Sequence, residues 1–456
     1  MRCQLNIHLP AMLALSIAST SCGRAPTYDL AISGATIIDT LTGETKVNNI
    51  GIRDGFIAYI GDDEAHGEIE INAEGLWAVP GLWDMHAHIA DESFFSLFVE
   101  NGVVGVRDMG GAIDRPTDGC ESIDISSLRK WRDEIEAGRR IGPRLVLAGP
   151  IASGPGRPTA LAATTPENAR EAVRKISVAG ADFVKVYEDI PPTAFAALAS
   201  EAKIRGLPFA GHVSVETLTV KEAIAAGQRS VEHVRSHLLL CFARTDEELE
   251  TLFDADHWDD NDREWAKRHI AGCPYIWDAF RDREVWLTPT LAVQETLLAG
   301  EKERFEDDPR RNSLPAAIRQ AVRTRSDGLR NRDGSERAAA ALWNQYIFRL
   351  VNRAAEEKAK ILAGSDAACE GVIPGFSLHR ELQLLVDAGL SPLQALQAAT
   401  LEPGRYFEKD DEIGRIAVGF NADLILVRGN PLSKIANLDD IEKIILRGEV
   451  ISKVDQ

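Results

Sequence analysis

The feature that most constrains the fold is an alternation of apolar runs with amphipathic stretches through the middle of the chain. The runs read as buried strands, and stretches such as PENAREAVRKISVAG between them have helical periodicity. Strands that alternate with helices form βα units and a parallel sheet. Eight runs follow one another, the number that a closed (β/α)8 TIM barrel needs. The runs are LWAVPGLWDMHAH, VVGVRD, PRLVLAG, DFVKVY, PFAGHV, SVEHV, VWLTPTL and KILAGSD.

The two ends of the chain differ from the middle. Residues 28–79 and 413–456 contain short apolar or alternating segments broken by glycines, a pattern typical of strands and turns. We therefore expect a small discontinuous β-sandwich domain formed by both ends, around a barrel at 80–412. A charged stretch at about 243–360 predicts a helical insertion, which either shapes the substrate pocket or forms a solvated surface. His269 in this stretch is expected to be exposed.

The charge and the first residues bear on partners and location. A formal net charge of −19 disfavours nucleic acid as a partner, because nucleic acids attract Lys and Arg patches. Arg2 precedes a short apolar run and then small residues up to Cys22, which is typical of an export signal. We expect residues 1–22 to be a signal peptide. The protein would then be periplasmic or secreted, or anchored to the membrane through a lipid on Cys22 as in lipoproteins.

The cysteines do not form a metal-binding motif. After removal of the signal, Cys120, Cys241, Cys273 and Cys369 remain, and no pair has the C-x-x-C spacing of thiol-bound zinc. Cys241 and Cys273 are the nearest pair in sequence for a disulfide in an exported protein.

Residues with metal-binding side chains stand where the predicted strands end. His86 and His88 end the first run, two residues apart, so both imidazoles point to the same side of the strand. His212 ends PFAGHV, His233 ends SVEHV, and Asp366 ends KILAGSD. Imidazole is the commonest metal ligand in proteins. The carboxyl ends of barrel strands are also where active sites are built.

Each of these residues has an ordinary explanation when it is taken alone. A single His after a strand is more often a hydrogen-bonded core residue than a ligand, and Asp366 could cap a helix. Lys185, between apolar residues of DFVKVY, could extend its amine to water. The joint placement of all six residues at strand ends is poorly explained by chance. It indicates a metal-dependent active site.

These motifs, in this order, resemble the amidohydrolase superfamily, and within it the branch of imidazolonepropionase-like proteins and metal-dependent Xaa-Pro dipeptidases (prolidases). The resemblance rests on VPGLWDMHAH, VKVY, GHV, VEHV, LTPTL and AGSDA, and on the closing segment from TLEPGRYF to IGRIAVGFNADLILV. It covers nearly everything from Tyr28 to the end. A His-x-His pair alone is weak evidence, whereas the ordered set is specific.

The resemblance implies a site for two divalent metal ions. The more buried ion would be held by His86, His88 and Asp366, and the more exposed ion by His212 and His233. Zinc suits such nitrogen-rich ligands, although other divalent ions are tolerated by carboxylate-rich bridges.

The resemblance also implies the roles of two further groups. Lys185 would bridge the ions as a carboxylated lysine, because a bridging anion needs two oxygens that a neutral amine lacks. The alternative is a structural lysine beside a one-metal site. Asp366 would take the proton of a metal-activated hydroxide and pass it to the leaving nitrogen.

The expected reaction is hydrolysis of an amide or peptide-like bond in a small molecule, of the Xaa-Pro dipeptide or N-acyl amino acid type. Such substrates carry a carboxylate, for which Arg157 or Arg235 would be a partner, with Tyr187 as a hydroxyl donor. One alternative is a one-metal cyclic-amide hydrolase or deaminase. Another is an inactive binding homologue, although none of the six ligand positions is missing. A homo-oligomer is expected.

Overall fold

The structure, a computed structural model, has a mixed α/β fold, which confirms the predicted fold class. The residues that it describes are 27–111, 122–157, 159–213, 217–234, 236–241, 260–299, 309–320, 323, 334–368 and 371–451. The predicted signal peptide at 1–22, with Cys22, and the candidate Arg235 lie outside these residues. Among the helices described, none is both long and apolar enough to cross a membrane.

Strands from both ends of the described chain form one sheet in the order β17-β16-β15-β5-β1-β2-β3, with β4 beside β1. The strands are β1 (Thr27–Ile38), β2 (Thr45–Arg53), β3 (Phe56–Gly61), β4 (His66–Asn72), β5 (Trp77–Pro80), β15 (Leu424–Val427), β16 (Ile441–Leu446) and β17 (Glu449–Ile451). The antiparallel pair β5–β15, with Ile425 opposite Val79, joins the late strands to the early ones. Alternate residues of β1, including Leu30 and Ile32, enter an apolar core of this sheet's own. The domain boundaries at 28–79 plus 413–456 remain a prediction.

The predicted apolar runs of the middle form buried parallel segments. These are β6 (Leu82–Ala87), β7 (Val103–Asp108), β8 (Arg144–Leu147), β11 (Val184–Val186), β12 (Phe209–Gly211), β13 (Ser230–Glu232), β14 (Trp286–Thr288) and the extended segment 361–367. Two short strands, β9 (Ala152–Ser153) and β10 (Leu161–Ala162), extend the edge beside β11.

The first predicted run was wrong in one respect, because it contains two strands. Its first part, β5, belongs to the sheet of the two ends, and only β6 joins the parallel segments. The break is at Gly81, whose N–H donates to the Asp423 carbonyl at 2.9 Å. An uninterrupted apolar sequence cannot reveal such a change of sheet, since both strands are buried.

Backbone contacts link the parallel segments in sequence order. The strands pair as β6–β7–β8 and as β11–β12–β13–β14, and the Asp182 N–H donates to the Leu147 carbonyl at 2.8 Å between these groups. The last segment pairs with β14 at Ile361 and with the end of β6 at Ala367. The carboxyl ends of the segments, with their histidines, therefore lie on one face.

Helices follow most of the parallel strands. They are α1 (Phe94–Glu100), α2 (Ile125–Glu136), α3 (Pro166–Val178), α4 (Pro192–Arg205), α5 (Val220–Ala225), α6 (Ser236–Leu239), α7 (Asp260–Ile270), α8 (Cys273–Asp282), α9 (Leu291–Ala299), α10 (Gly334–Glu356), α11 (Phe376–Asp387), α12 (Pro392–Ala398) and α13 (Leu401–Tyr406). Short 3-10 turns cover Pro309–Ser313 and Ile435–Asp439. Helix-start signals in the sequence mark some of these helices. For example, α3 begins at Pro166, after a capping box of Thr165 and Asn168.

The described part of the charged stretch is mainly helical, apart from β14, and one prediction for it was wrong. His269 on α7 is only 2% exposed. Ala266 and His269 are both buried, and their spacing of three residues places them on one helical face. The charged residues around His269 therefore obscured the buried face of α7 in the sequence. Next to it, Cys241 and Cys273 form a disulfide, the pairing that was nearest in sequence.

Candidate metal centre

The sequence-predicted ligands converge at the carboxyl ends of the parallel strands. His86 lies in β6 and His88 just after it, while His212 and His233 directly follow β12 and β13. All four are buried, with 1–6% of each residue exposed. The rings of His86 and His233 are 4.7 Å apart between centroids, and those of His212 and His233 are also 4.7 Å apart. The four histidines thus form one group.

His86, His88 and Asp366 form a tight cluster. Oδ1 of Asp366 lies 3.3 Å from Nε2 of His86 and 3.3 Å from Nε2 of His88, and one potential ligand atom from each residue lies within 4.8 Å of the others. Asp366 is brought here by its N–H, which donates to the His86 carbonyl at 2.7 Å. Gly364 permits this approach, because a Cβ there would lie 2.6 Å from Cβ of His86.

The Nδ1 atoms of this first pair are held by groups behind the cluster. Nδ1 of His86 lies 2.8 Å from Oε2 of the buried Glu232, and Nδ1 of His88 lies 2.7 Å from the Gly110 carbonyl. Both partners are hydrogen-bond acceptors, so both imidazoles donate through Nδ1 and turn the Nε2 lone pair toward Asp366. The buried Nε2 of His86 has no hydrogen-bond partner in the described structure. A nitrogen that binds a metal ion is expected to lack such a partner when the ion is absent.

The second pair follows the same pattern. Nδ1 of His233 lies 2.6 Å from Oγ1 of Thr290, whose hydroxyl donates to the Pro289 carbonyl and therefore accepts from the imidazole. Nδ1 of His212 lies 3.2 Å from Oε1 of Glu188. Histidines that bind metal ions through Nε2 characteristically donate Nδ1–H to such groups. The residues present therefore fit a metal centre.

The backbone at the centre is held in an unusual conformation. His233, Thr290 and Asp366 have φ values of 66°, 52° and 62°, in the left-handed region that non-glycine residues rarely adopt. Such conformations cost on the order of 1 kcal/mol each and persist where the surroundings enforce them, typically at functional sites. Here they turn side chains at the ends of strands toward the common centre.

Electrostatics keep the acidic groups of the centre ionised. Burial alone would raise the pKa of Asp366, but His86, His88 and His233 hold that pKa far below its usual range. Burial would also raise the pKa of Glu232, but the charge of Arg107 and the hydrogen bond from His86 lower it strongly. Both side chains are therefore carboxylates at neutral pH.

His86 is held neutral. Burial, and then the charge of Lys185, lower its pKa to about 4 against the opposing effect of the carboxylates. A neutral imidazole can bind a metal ion, whereas an imidazolium cannot. Lys185 itself is 1% exposed on β11, beside Ala210 of β12. Its effect on His86 places it within electrostatic reach of the cluster, but its modification and its role as a bridge remain predictions.

Of the predicted substrate-binding residues, two lie beside the centre. The Tyr187 ring is 4.2 Å from the His212 ring between centroids, and Cζ of Arg157 lies 4.3 Å from the centroid of Tyr187. Arg157, Tyr187 and His212 are thus in successive contact, which brings a guanidinium toward the histidine group.

Sequence reasoning missed several residues that hold the ligands. Glu232 and Thr290 are adjacent to predicted motif positions, and Asp84 lies inside the first motif, where its Oδ1 accepts the His86 N–H at 3.2 Å. Arg107, in VVGVRD, donates to Glu232 at 2.9 Å. A charged residue inside an apolar run was the available signal in each of the three charged cases, because a buried charge requires a partner.

A further buried acid, Glu381 on α11, lies behind the start of α9. Its Oε2 accepts the Ala292 N–H at 2.7 Å, while Oε1 has no hydrogen-bond partner in the described structure. Burial raises the pKa of Glu381 to about 8, although backbone N–H groups of Leu291 and Ala292 oppose it. Glu381 is therefore a neutral acid at pH 7.

We expect Glu381→Gln to remove a pH dependence of stability. Between the ordinary pKa of 4.5 and the folded pKa of about 8, the folded protein binds more protons at this site than the unfolded protein does. Its stability therefore falls relative to the variant as the pH rises through this window, by roughly 1 kcal/mol per pH unit. Denaturant unfolding of both proteins at pH 5, 6, 7 and 8 measures the difference. Parallel curves for the two proteins would contradict the assignment.

The comparison with protein families identifies part of the chain. Residues 347–451 match the model described as "Amidohydrolase family". This part of the chain therefore resembles the amidohydrolase family. This confirms the family resemblance that the sequence motifs predicted. The amidohydrolase match begins in α10, includes Asp366 and ends with β17.

Solved structures of similar fold include amidohydrolases and prolidase-like proteins. A bottromycin amidohydrolase is 23% identical with a TM-score of 0.71, and the alignment covers 93% of this chain and 87% of that one. A Xaa-Pro dipeptidase with bound methionine in the active site is 22% identical with a TM-score of 0.62, covering 93% and 99%. At these identities the likeness concerns the fold.

Curated relatives include adenine deaminases. Adenine deaminase 1 from Jannaschia sp. (strain CCS1) is 24% identical over 426 residues, which are 91% of this chain and 57% of that protein. The chain spans less than two thirds of the length of the adenine deaminases that it matches.

Proposed function

We propose that the protein is a metal-dependent hydrolase that cleaves an amide or peptide-like bond, of the Xaa-Pro dipeptide or N-acyl amino acid type. The observation that carries this proposal is the convergence of four Nδ1-anchored histidines with Asp366. In an ordinary hydrogen-bonded core, the buried Nε2 of His86 would have a hydrogen-bond partner. Here it faces the carboxylate of Asp366 without a hydrogen bond, as expected of an atom that binds a metal ion.

A bound divalent ion would supply Lewis acidity, lowering the pKa of water and polarising the scissile carbonyl. His86, His88 and Asp366 would hold one ion, and His212 and His233 a second. The Asp366 side chain is about one tenth exposed, so it can meet both water and substrate. As a carboxylate, it would accept the proton of the attacking water and deliver it to the leaving nitrogen.

Lys185 would complete the centre as a carboxylated lysine that bridges two ions. Burial favours the neutral amine, the form that reacts with carbon dioxide, because desolvation penalises the ammonium ion. Its position on β11, paired with β12, which His212 directly follows, supports this role. An unmodified Lys185 beside one ion is the alternative.

Recognition of a substrate carboxylate is assigned to Arg157 and Tyr187. The guanidinium of Arg157 lies over Tyr187, and Tyr187 lies against the ligand His212. A carboxylate a few ångströms from the scissile bond would meet a cation and a hydroxyl there. This favours a dipeptide or an N-acyl amino acid over an uncharged amide.

The proposal is tested with paired substrates and metal-reconstituted protein. Release of amino acid is measured from Xaa-Pro dipeptides and N-acyl amino acids, each compared with its C-terminal amide. We expect the free acids to be cleaved with a kcat/KM at least ~10-fold higher, since a charge-assisted contact is worth roughly 1.5–3 kcal/mol. Arg157→Met should abolish that preference. Equal cleavage of acid and amide would contradict carboxylate recognition.

A second candidate is deamination of a purine-like base. The observation that favours it is the likeness to adenine deaminases over 91% of the chain. In the same panel, ammonia release from adenine without amino acid release from any peptide would select this reading. One metal ion per chain, independent of Lys185, would agree with it.

We also propose that the protein is exported. Support comes from the Cys241–Cys273 disulfide, because cytosolic thiols are generally kept reduced. A signal peptide at 1–22, a lipid on Cys22 and a homo-oligomer stay predictions that neither the described residues nor the relatives address.

A further inference from the structure

An ion pair lies beneath the metal centre, buried inside the group of parallel strands. Arg107 on β7 and Glu232 on β13 have fully buried side chains, and one terminal nitrogen of Arg107 lies 2.9 and 3.0 Å from the two carboxylate oxygens of Glu232. Glu232 in turn faces Nδ1 of His86 at 2.8 Å. The pair therefore reaches a predicted ligand through Glu232, without belonging to the ligand set.

Arg107 is fixed by contacts with several elements. Its Nε donates to the Met85 carbonyl of β6 at 2.6 Å, and its other terminal nitrogen donates to Oγ of Ser230 on β13 at 2.9 Å. The guanidinium also lies 4.8 Å from the ring centroid of Tyr406 on α13. A planar guanidinium can satisfy these directions together, whereas the compact ammonium of a lysine cannot.

Glu232 has only donors around it. Arg107 and His86 approach its oxygens, and the Ser230 hydroxyl donates to Oε1. A carboxylate so surrounded can only accept. His86 must then carry its proton on Nδ1, and its ring orientation is fixed by the same contact.

We propose that Arg107 and Glu232 form a charge-balanced pair that positions His86, with Nε2 presented to the metal ion. Glu232 sets the tautomer and orientation of His86, and Arg107 holds Glu232 in place and neutralises it. This inference rests on the proposed metal centre and assigns two positioning residues to it. Such partners of metal-binding histidines typically change metal affinity 10- to 100-fold when they are lost.

The first test is the dissociation constant for Zn²⁺, measured on metal-depleted protein by competition with a chromogenic chelator. Glu232→Gln keeps the size of the side chain but leaves the guanidinium charge uncompensated, and the cation draws the amide oxygen away from Nδ1 of His86. We expect it to weaken Zn²⁺ binding about 10- to 100-fold. Unchanged affinity in the variant would overturn the proposal.

A matched control separates positioning from general damage. Asp423 is also a buried carboxylate paired with an arginine, Arg144 at 2.8 Å, with its side chain 6% exposed. Within the described residues, the side chain of Asp423 contacts Arg144 and the Arg447 N–H rather than a histidine of the centre. Asp423→Asn should lower the melting temperature of metal-depleted protein while leaving Zn²⁺ affinity unchanged. Equal loss of affinity in both variants would show a structural effect and overturn the positioning role.

A double variant tests the role of Arg107 by rescue of the lost affinity. In Arg107→Met/Glu232→Gln the uncompensated cation is gone, and the amide oxygen can turn to accept the proton on Nδ1 of His86. We expect most of the lost affinity to return, so that the double variant binds Zn²⁺ clearly more tightly than Glu232→Gln does. A folded double variant that binds as weakly as Glu232→Gln would refute the coupling. If the parent protein itself binds no Zn²⁺, the proposed function fails instead.

Discussion

Asp366→Asn is expected to lower kcat/KM by about 10²- to 10⁴-fold, the range typical of a lost general base, while most of the bound metal is retained. An amide oxygen can still face Nε2 of His86 and His88, each 3.3 Å from Oδ1 in the parent protein. An amide cannot accept the proton, however. The substrate found in the paired panel and metal analysis of the same preparation give both quantities.

The outcome separates two roles of Asp366. Loss of turnover with metal retained supports proton transfer, whereas parallel loss of both would make Asp366 chiefly a ligand. A variant with full activity would remove Asp366 from the mechanism. Asp423→Asn is the control for a buried carboxylate elsewhere, and it should retain turnover.

Lys185→Ala is expected to abolish activity and to lower metal content by at least one ion per chain. Without a bridging carbamate, two ions would lack their shared anion and would repel each other across a short distance. Lys185→Met fills the space that alanine leaves and serves as the matched variant. It should show the same loss, because methionine supplies volume but no oxygen. Both variants should fold, since replacing a fully buried lysine removes a desolvation cost.

Added short-chain carboxylic acids offer a sharper readout for Lys185→Ala. A carboxylate of suitable size could occupy the vacated space and restore both metal and some turnover, because it supplies the two oxygens of the missing carbamate. Restoration in Lys185→Ala but not in Lys185→Met would support the bridging role. Lys185→Ala protein with undiminished metal and activity would contradict it.

Much of the fold could be predicted from the sequence because its elements are marked locally. The parallel strands are short apolar runs, and Thr165 and Pro166 mark the start of α3. The clustering of the candidate ligands was predictable for a related reason. His86, His212 and His233 stand at strand ends, and the carboxyl ends of parallel strands meet on one face.

The remaining parts of the site depend on long-range geometry. His86 and Glu232 are 146 residues apart, and Arg107 and Glu232 are 125 apart. Which side chains meet inside the strands depends on register and stagger, which a strand pattern does not give. Even so, a charged residue within an apolar run is a usable signal, and it would have identified Arg107 and Glu232.

Other misses have equally specific causes. The break at Gly81 was hidden because β5 and β6 are both buried, although in different sheets. His269 was taken as exposed because its neighbours are charged, yet helical spacing places it inside with Ala266. In both cases the general character of the surrounding sequence was a poor guide to the environment of the individual residue.

The most direct test of the central claim is the metal content per chain of protein purified without chelator, beside Lys185→Ala. We predict about two divalent ions in the parent protein and a clear loss in the variant. One ion in both proteins would contradict the bridged centre and favour the one-metal reading. No metal in the parent protein, even after reconstitution with Zn²⁺, would contradict the metal centre itself.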